Sequence, residues 1–376
     1  MKDSNTFNPN QRLASLDALR GFDMLFIIGL ASFIAAVCRL FPGGEDSWLL
    51  QQMQHVSWDG LRHHDTIFPL FLFIAGISFP FSFAKQQEKG VPRWKTYLKI
   101  FRRAFILVLF GLICNGLLKF QFSSLRFGSV LGRIGLAWMF AALLFINFKP
   151  SVRAVIAVVL LVGYWLLLRF VPAPDAPAGA GPFSFEGNLV GYVDRCLFPG
   201  HLYKGDGGVF DPEGTLSTVP AIVTAMLGMF TGEWVRKKNL SGGSKTLWMV
   251  AAAAVLLILG LVWSRWFPLN KKLWSSSFVL VVGAYSLAMF ALFYWIIDVK
   301  GWKKWAFPLI VVGMNSIAIF MIPRIIDFKH ATDFFLEGLC SIMPPLWGKA
   351  LWHLGFLVLG WLFLYFLYKK KIFLKV

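Results

Sequence analysis

Cysteine is scarce in this chain, and the four cysteines that occur are far apart. Cys38, Cys114, Cys196 and Cys340 form no C-x-x-C pair. A structural zinc site or a dithiol redox motif needs cysteines at short spacing, so the pattern favours neither. Isolated cysteines of this kind behave as small apolar side chains. We therefore predict that the protein binds no metal.

Charged residues are also few, at 15% of the 376 residues, whereas hydrophobic residues make up 57% and include 39 phenylalanines. The mean hydropathy is +0.65. This apolar content exceeds what a soluble domain can bury, and it comes in runs near the roughly 20 residues that cross a bilayer. The sequence therefore predicts a polytopic membrane protein. The first apolar run lacks a small-residue cleavage site, so we interpret it as a retained helix and not as a signal peptide.

Polar residues, glycine and proline separate ten apolar runs, which predict about ten transmembrane helices in an all-α bundle. The predicted spans are 20–40, 67–84, 97–118, 127–147, 152–171, 216–235, 246–266, 274–297, 305–324 and 348–368. Residues 326–347 leave room for a short re-entrant piece. No tandem repeat and no inverted internal symmetry is found, so residues 1–376 are interpreted as a single transmembrane domain.

Basic residues outnumber acidic residues, 37 to 19, for a formal charge of +18. In a membrane protein, the distribution of charge between loops matters more than the sum. The side that carries both termini has 23 basic and 6 acidic residues, and the other side has 14 and 13. The positive-inside rule then predicts cytoplasmic termini. It places residues 55–65 and the long loop 172–215 on the extracytoplasmic face, and it explains the basic charge without a nucleic-acid partner.

The segment "HVSWDGLRHHD" holds three of the six histidines at the mouth of the second span. His63, His64 and Asp65 are adjacent, so their side chains point in different directions on a helix, and a zinc site is disfavoured. Two interpretations remain open: a hydrated helix end, or a general base or nucleophile at His55. Imidazole titrates near neutral pH, and a carboxylate such as Asp65 can orient it.

Two arginines lie in or beside apolar spans. Arg20 follows Asp17 by three positions at the cytoplasmic mouth of the first span. It forms a local ion pair or, like Arg12, faces an anionic ligand that approaches from the cytoplasm. Arg133 lies inside a span, where a guanidinium is costly unless it meets a partner, water or a ligand.

Two further polar groups are open to a structural or a functional interpretation. Asn270, Lys271 and Trp274, in "PLNKKLWSSSF", stand at the outer end of a span. Snorkelling lysine and interfacial tryptophan are common at such positions. Asn315 and Ser316, in "VVGMNSIAIFM", fall in the middle of an apolar helix, where an amide hydrogen-bonds between helices or binds a ligand.

Six stretches, taken in order, resemble the heparan-alpha-glucosaminide N-acetyltransferase family of membrane acyltransferases. They are "SLDALRGFDM", "QHVSWDGLRHHDTIFPLFLFIAGIS", "VLGRIGLAWMF", "DPEGTLSTVPAIVTAMLGMFTG", "PLNKKLWSSSFV" and "VVGMNSI". The resemblance implies transfer of the acetyl group of cytoplasmic acetyl-CoA to the amine of a terminal glucosamine on the opposite side of the membrane. It also makes a homodimer a reasonable expectation. Animal members carry an amino-terminal luminal domain that this chain lacks, so we expect a bacterial inner-membrane protein with the His55 side periplasmic.

The resemblance also implies which residues form the site. His55, in the family's H-x-S-W-x-G-L segment, is the implied active-site histidine, and Asp65 is the aspartate that precedes the F-P pair. The residues predicted to bind acetyl-CoA are Arg20, Arg133, Asn270, Lys271, Trp274, Ser275, Asn315 and Ser316. The match has gaps: the chain reads "GRIG" where the family has Q-R-L-G, and residues 41–54 contain no counterpart of the family's asparagine upstream of the histidine.

We therefore predict an acetyl-CoA-dependent N-acetyltransferase with an amino-sugar acceptor. His55 is either the base that takes a proton from the acceptor amine or a transient acetyl carrier. Asn315, Asn270 and Arg133 are the candidate donors to the negatively charged oxygen that develops during transfer. Two alternatives stay open: an O-acetyltransferase that acts on a cell-surface glycan, and a transporter or export component without acyl transfer.

Overall fold

The computed structural model describes residues 13–324 and 327–374, so Arg12 lies outside the described residues. Within these ranges the chain forms fifteen α-helices and no β-strand, which confirms the all-α prediction. In chain order, α1 to α15 are Ala14–Leu25, Ala31–Cys38, Trp48–Gln52, His63–Glu88, Arg93–Cys114, Val130–Asn147, Pro150–Phe170, Leu189–Leu197, Thr218–Arg236, Gly242–Trp263, Ser276–Phe293, Phe307–Gly313, Ser316–Met321, Phe328–Ser341 and Pro345–Lys369.

Eight helical segments of the described chain are long and apolar enough to cross a bilayer. They are Ala14–Cys38, His63–Glu88, Val130–Asn147, Pro150–Phe170, Thr218–Arg236, Gly242–Trp263, Ser276–Val299 and Pro345–Lys369. The bent pair Lys304–Gly313 and Ser316–Arg324, whose axes differ by 60°, is apolar enough to be either a ninth, broken span or a re-entrant loop. Helix α5 has 22 residues and packs along α6, although several basic residues occupy its first half. Each of the ten predicted spans therefore coincides with a helix or a bent pair of helices, and the polytopic bundle is confirmed.

Glycine allows the closest helix crossings. Helices α4 and α9 meet at Gly76 and Gly228, where an added Cβ would collide with a carbonyl oxygen of the facing helix. Helices α1 and α12 meet in the same way at Gly21 and Gly313. Small residues let transmembrane backbones approach each other without lost packing. These two crossings fix α4 against α9 and α1 against α12.

The connecting segments gather at two ends of the bundle. At one end, which we call the site end, the indole of Trp58 donates to the carbonyl oxygen of Phe183 at 2.9 Å. There Lys272 also pairs with Asp206 at 2.6 Å, so the loop 172–215 folds over the segments that precede α4 and α11. The carboxyl end of α15 lies at the opposite end, beside the start of α12. The start of α1 lies at this end too, because the Ser15 N–H meets the Asp298 carboxylate at 3.2 Å.

Two details differ from the sequence-based expectation. The apolar run 305–324 predicts one continuous helix with Asn315 at its middle, but α12 ends at Gly313 and α13 begins at Ser316. At the break, the backbone of Asn315 leaves the helical conformation, and its side-chain amide pairs with backbone groups of Ile372 and Leu374. The region 326–347 holds α14, which packs against α15 as a helical hairpin and accepts a hydrogen bond from the Trp352 indole on Asp333 at 2.6 Å.

Candidate active site

His55 and Asp65 form a hydrogen-bonded pair at the site end, with Nδ1 and Oδ1 2.7 Å apart. Asp65 lies in the first turn of α4, where its second oxygen accepts from the backbone N–H groups of Val56 and Arg62 at 3.3 and 3.2 Å. The unpaired N–H groups and the dipole of a helix start favour an acidic residue at this position. The carboxylate is therefore held in place independently of the imidazole.

Lys271 is the third member of this group. Its Nζ lies 3.1 Å from His55 Nδ1 and 3.4 Å from Asp65 Oδ1. Burial lowers the pKa of Lys271, and the charge of Asp65 opposes that shift. Because Lys271 belongs to the segment before α11, folding brings an imidazole, a carboxylate and an ammonium group together from distant parts of the chain.

The Asp65 contact selects the ring nitrogen that His55 can offer to a reactant. An ionised carboxylate only accepts hydrogen bonds, so the 2.7 Å contact with Asp65 assigns the proton of the neutral ring to Nδ1. The Lys271 ammonium group, which only donates, then lies beside Nδ1 without a hydrogen bond to it, and Nε2 keeps its lone pair. This tautomer is inferred from the hydrogen-bond partners. The His55 side chain is 54% exposed, and Nε2 has no hydrogen-bond partner among the described residues. The geometry therefore suits a base or a nucleophile at Nε2.

His55 borders a cavity of about 930 Å³. Apolar residues from several helices form most of its wall, including Phe68, Ile134 and Phe320. The charged residues that line the cavity are Arg39, Glu213, Lys271 and Lys329. The cavity extends from the site end into the bundle as far as Ser316, and its volume is typical of a pocket for a ligand larger than one sugar.

The three clustered histidines have different surroundings. The His64 ring lies 4.5 Å from the His55 ring, between centroids, and it also lines the cavity. His63 turns to the other side of α4, where its Nε2 is 3.0 Å from the Tyr285 hydroxyl. The three side chains therefore do not converge. Within the described ranges, no three His, Cys, Asp or Glu residues are arranged to hold a metal ion.

The segment around Lys271 is held by its own polar residues. The Asn270 side chain donates to the Asp59 carboxylate at 3.2 Å and accepts a backbone N–H at 2.8 Å. Ser275 caps α11 by accepting a backbone N–H of its first turn at 3.3 Å. Asn270 and Ser275 thus shape the loop that presents Lys271, and neither is among the residues that line the cavity.

Arg133 and Trp274 pack together behind that loop. The guanidinium lies 5.0 Å from the Trp274 ring centroid, and it donates to the Ser217 hydroxyl and to the carbonyl oxygen of Gly214 at 3.3 Å. The indole of Trp274 donates to Thr224 at 3.2 Å. Two nitrogens of Arg133, Nε and Nη1, have no hydrogen-bond partner in the part of the chain that the structure describes. Arg133 therefore retains donors, although it is only 2% exposed.

Arg20 lies at the opposite end of the bundle from His55. Its guanidinium is 3.4 Å from Asp17 and donates to the Ser78 hydroxyl at 3.1 Å. Arg103 of α5 lies near enough to interact with it electrostatically, and stacks 4.1 Å from the Trp138 ring centroid. We did not predict a role for Arg103 from the sequence. A basic residue this deep in an apolar helix is the signal that was available.

Ser316 lines the inner part of the cavity, but the neighbouring Asn315 points elsewhere. The Asn315 amide donates to the carbonyl oxygen of Ile372 at 2.9 Å and accepts the N–H of Leu374 at 3.1 Å. The predicted site residues therefore fall into three places: around His55, behind the Lys271 loop, and towards the opposite end.

No protein-family model matches the chain. It is 29% identical to the mouse heparan-alpha-glucosaminide N-acetyltransferase in an alignment that covers 99% of this chain and 63% of the relative. The human protein of the same name is 28% identical, with 97% of this chain and 60% of the relative covered. The chain is therefore homologous to heparan-alpha-glucosaminide N-acetyltransferase over nearly its whole length. It spans less than two thirds of the length of either relative.

The similarity to heparan-alpha-glucosaminide N-acetyltransferase extends over the whole candidate site, because the alignments cover nearly all of this chain. The catalytic roles of His55 and Asp65 stay predictions. The structure adds that these two side chains touch, and that Lys271 joins them.

The protein has a second polar cluster at the site end, which the sequence analysis did not identify. Arg126 holds Asp211 through two hydrogen bonds of 2.7 and 2.6 Å, and it also binds Glu213, which lines the cavity. Burial of the nearby Asp194 raises its pKa to about 6, although two backbone N–H groups of the loop donate to it. The acidic pair in "FDPEG" was visible, but no linear spacing connects it with Arg126.

Proposed function

We propose that the protein transfers the acetyl group of acetyl-CoA to the amine of a terminal glucosamine at the site end of the bundle. The observation that carries the proposal is the His55–Asp65 contact beside the 930 Å³ cavity, with Nε2 free of partners among the described residues. An imidazole oriented by a carboxylate is suited to acyl transfer. The names of the mouse and human relatives supply the reaction and the acceptor class.

In a direct route, Nε2 of His55 takes a proton from the acceptor amine while the amine nitrogen attacks the thioester carbonyl carbon. The C–N bond forms, the C–S bond breaks, and the CoA thiolate leaves. The imidazolium then returns its proton to the sulfur, so the products are the acetamide and the CoA thiol. Asp65 keeps the ring in the required orientation and stabilises its charged form.

In a carrier route, Nε2 attacks the carbonyl carbon first. This step gives an acetyl-imidazolium and the CoA thiolate. The amine then attacks the acetyl group, the ring is released in its neutral form, and the amine proton passes to the thiolate or to solvent. Radiolabel that stays on the protein after incubation with acetyl-CoA alone would distinguish this route from direct transfer.

Negative charge develops on the carbonyl oxygen in either route, and we assign its stabilisation to Lys271. The amide donor of Asn270 is engaged by Asp59, and that of Asn315 is engaged by Ile372. Lys271, in contrast, lines the cavity, and its ammonium group has three donors, of which Asp65 Oδ1 at 3.4 Å takes one. A fixed cation in a site with little water stabilises an oxyanion more strongly than it could in bulk solvent.

We place the phosphates of acetyl-CoA at the opposite end, near Arg20 and Arg103. Guanidinium groups bind phosphate through paired, charge-assisted hydrogen bonds. The loops of this end carry the excess of Lys and Arg, so in the proposal it is cytoplasmic and the site end faces the periplasm of a bacterial inner membrane. The acetyl group would then cross most of the bilayer within the bundle.

The rim of the cavity supports an acidic acceptor. Arg39 and Lys329 are exposed there, and neither forms an ion pair with another described residue. Free cations beside an apolar pocket suit a sugar chain that carries carboxylate or sulfate groups. A heparan-type glucosaminide has this chemistry, and we propose it as the acceptor of a homodimeric enzyme.

The test is release of CoA thiol from acetyl-CoA by the purified protein. Glucosamine should support release, and glucose should not. His55→Ala should lower turnover by a factor of at least about 10³, because it removes the base or carrier. His330→Ala is the matched control, since His330 lies exposed on α14 and its turnover should be unchanged.

Each contrary result points to a different class of protein. Normal turnover by the His55→Ala variant would remove His55 from the mechanism. Release with glucose as well as glucosamine would indicate O-acetylation. If the folded wild-type protein releases no CoA thiol with any sugar, the transferase assignment fails in favour of a transport role.

A further inference from the structure

The chain reverses direction where α15 ends. Lys371 adopts the left-handed backbone conformation, with φ 56°. The N–H groups of Lys371 and Ile372 donate to carbonyl oxygens of the last turn of α15, at 3.1 and 2.9 Å. This pattern closes a helix and turns the following residues back along it. Residues 372–374 therefore return towards the bundle.

The returning segment binds the side chain of Asn315 at the break between α12 and α13. Both groups of the amide are used, the donor by Ile372 and the acceptor by Leu374. Asn315 is 1% exposed, whereas Ile372 and Leu374 are 54% and 41% exposed. The segment is therefore attached mainly through its backbone. A buried amide without partners is costly, so Asn315 needs this partner or another with the same groups.

The contact lies next to the inner end of the cavity, although Asn315 itself is not among the residues that line it. Ser316 and Ile317 line the cavity and directly follow Asn315 in the chain. In the proposed function, the thioester arm of acetyl-CoA comes from the opposite end of the bundle and passes this region on its way to His55. The pantetheine arm contains two amide groups, each with a carbonyl oxygen and an N–H. These are the groups that Ile372 and Leu374 present to Asn315.

We propose that residues 371–374 and the pantetheine arm of acetyl-CoA compete for Asn315, so that this segment is a built-in inhibitor of acetyl-CoA binding. The proposal rests on the proposed function. Two ordinary hydrogen bonds to a buried amide, offset by the ordering of a short segment, favour the docked form by roughly tenfold. Occupancy of the docked form weakens the apparent affinity for acetyl-CoA by the same factor.

The test compares two substitutions at one position. Leu374→Pro removes the N–H that donates to Asn315, whereas Leu374→Ala keeps it and serves as the matched control. We measure the dissociation constant of CoA directly, by titration calorimetry on the full chain in nanodiscs. Leu374→Pro should bind CoA about three- to tenfold more tightly than the wild type, and Leu374→Ala should match the wild type. A chain that ends at residue 370 should bind CoA as tightly as the proline variant. Agreement between the two would show that the tighter binding of Leu374→Pro does not come from a local folding defect.

The outcomes separate this proposal from the proposed function. Equal or weaker CoA binding by both the proline variant and the shortened chain overturns the competition. Tighter binding without any thiol release in the presence of glucosamine supports the competition and rejects the transferase assignment. If neither the wild-type protein nor any variant binds CoA, both the competition and the proposed function are overturned.

Discussion

The two ends of the bundle differ in how their charged side chains are paired. At the site end, two buried carboxylates have close side-chain partners: Asp65 is held by His55, and Asp211 by Arg126. At the opposite end, the half-buried Arg103 forms no ion pair with any described residue, and Arg20 pairs within its own helix. A paired and rigid site suits bond making, whereas a guanidinium group without a carboxylate partner, such as that of Arg103, suits a phosphate ligand. The proposed division of labour follows: the site end sets the rate of the reaction, and the opposite end sets the affinity for acetyl-CoA.

The largest expected effect comes from Asp65→Asn at the site end. The amide can donate a hydrogen bond to Nδ1 and so favours the wrong tautomer of His55. We expect kcat to fall by about 10³- to 10⁴-fold, with little change in the KM for acetyl-CoA. Thiol release under saturating glucosamine measures both constants. Asp175→Asn is the control, because it disturbs only the exposed pair with Arg195. If the kcat of Asp65→Asn were within twofold of the kcat of Asp175→Asn, the mechanism would be contradicted.

The next largest effect concerns stability at the opposite end. Arg153 is buried, donates to both oxygens of Glu233 at 2.8 and 3.0 Å, and stacks 4.4 Å from the Phe145 ring centroid. Arg153→Leu leaves Glu233 without its partner and should lower the free energy of unfolding by about 3 kcal/mol. Equilibrium unfolding in mixed micelles measures the loss. The double variant Arg153→Leu/Glu233→Leu should recover most of it, and a double variant as unstable as the single one would show that packing, not charge, is responsible.

The spans and the first contact of the site were predictable because they depend on short-range information. The apolar runs and the breaks between them located the long helical segments, of which eight are apolar enough to cross a bilayer. His55 and Asp65 are ten residues apart at a helix start, so their meeting followed from the local chain and from the family resemblance.

The remaining parts of the site depend on tertiary packing. Lys271 is 216 positions from His55, and only the packing of the segment before α11 against the start of α4 makes them neighbours. The partners of Asn315 could not be predicted either, because Ile372 is 57 positions away and reaches Asn315 only after the chain turns back at the end of α15. The sequence therefore shows which polar residues lie within the membrane spans. It does not show the partners on which the roles of these residues depend.

A smaller effect is expected for Arg20→Ala, which probes the opposite end alone. Loss of one charge-assisted contact to phosphate should raise the KM for acetyl-CoA by about tenfold and leave kcat unchanged. Asp17→Asn is the matched control, because it weakens the local pair but keeps the guanidinium. Equal KM increases in both variants would mean that Arg20 acts through Asp17 and not through the ligand. A fall in kcat would break the proposed separation of the two ends.

The smallest effect is a pH dependence at the site end. Burial raises the pKa of Asp194 from an ordinary value near 3.8 to about 6. A raised pKa means that the folded protein binds this proton more tightly than the unfolded chain. The stabilisation is therefore complete below the ordinary pKa and is lost as the pH rises through 6. Relative to Asp194→Asn, the wild type should lose about 1 kcal/mol between pH 5 and pH 7.

Equilibrium unfolding of the two proteins at each pH measures this difference, and groups common to both proteins cancel. A difference that stays constant from pH 5 to pH 7 would mean that Asp194 is as ionised in the folded protein as in the unfolded chain. The two backbone N–H donors from Asp211 and Thr215 would then outweigh its burial. In that case Asp194 would hold the loop at the site end as an ionised carboxylate from pH 5 to pH 7, as Asp65 and Asp211 hold their segments. The contrast with the opposite end would then become sharper.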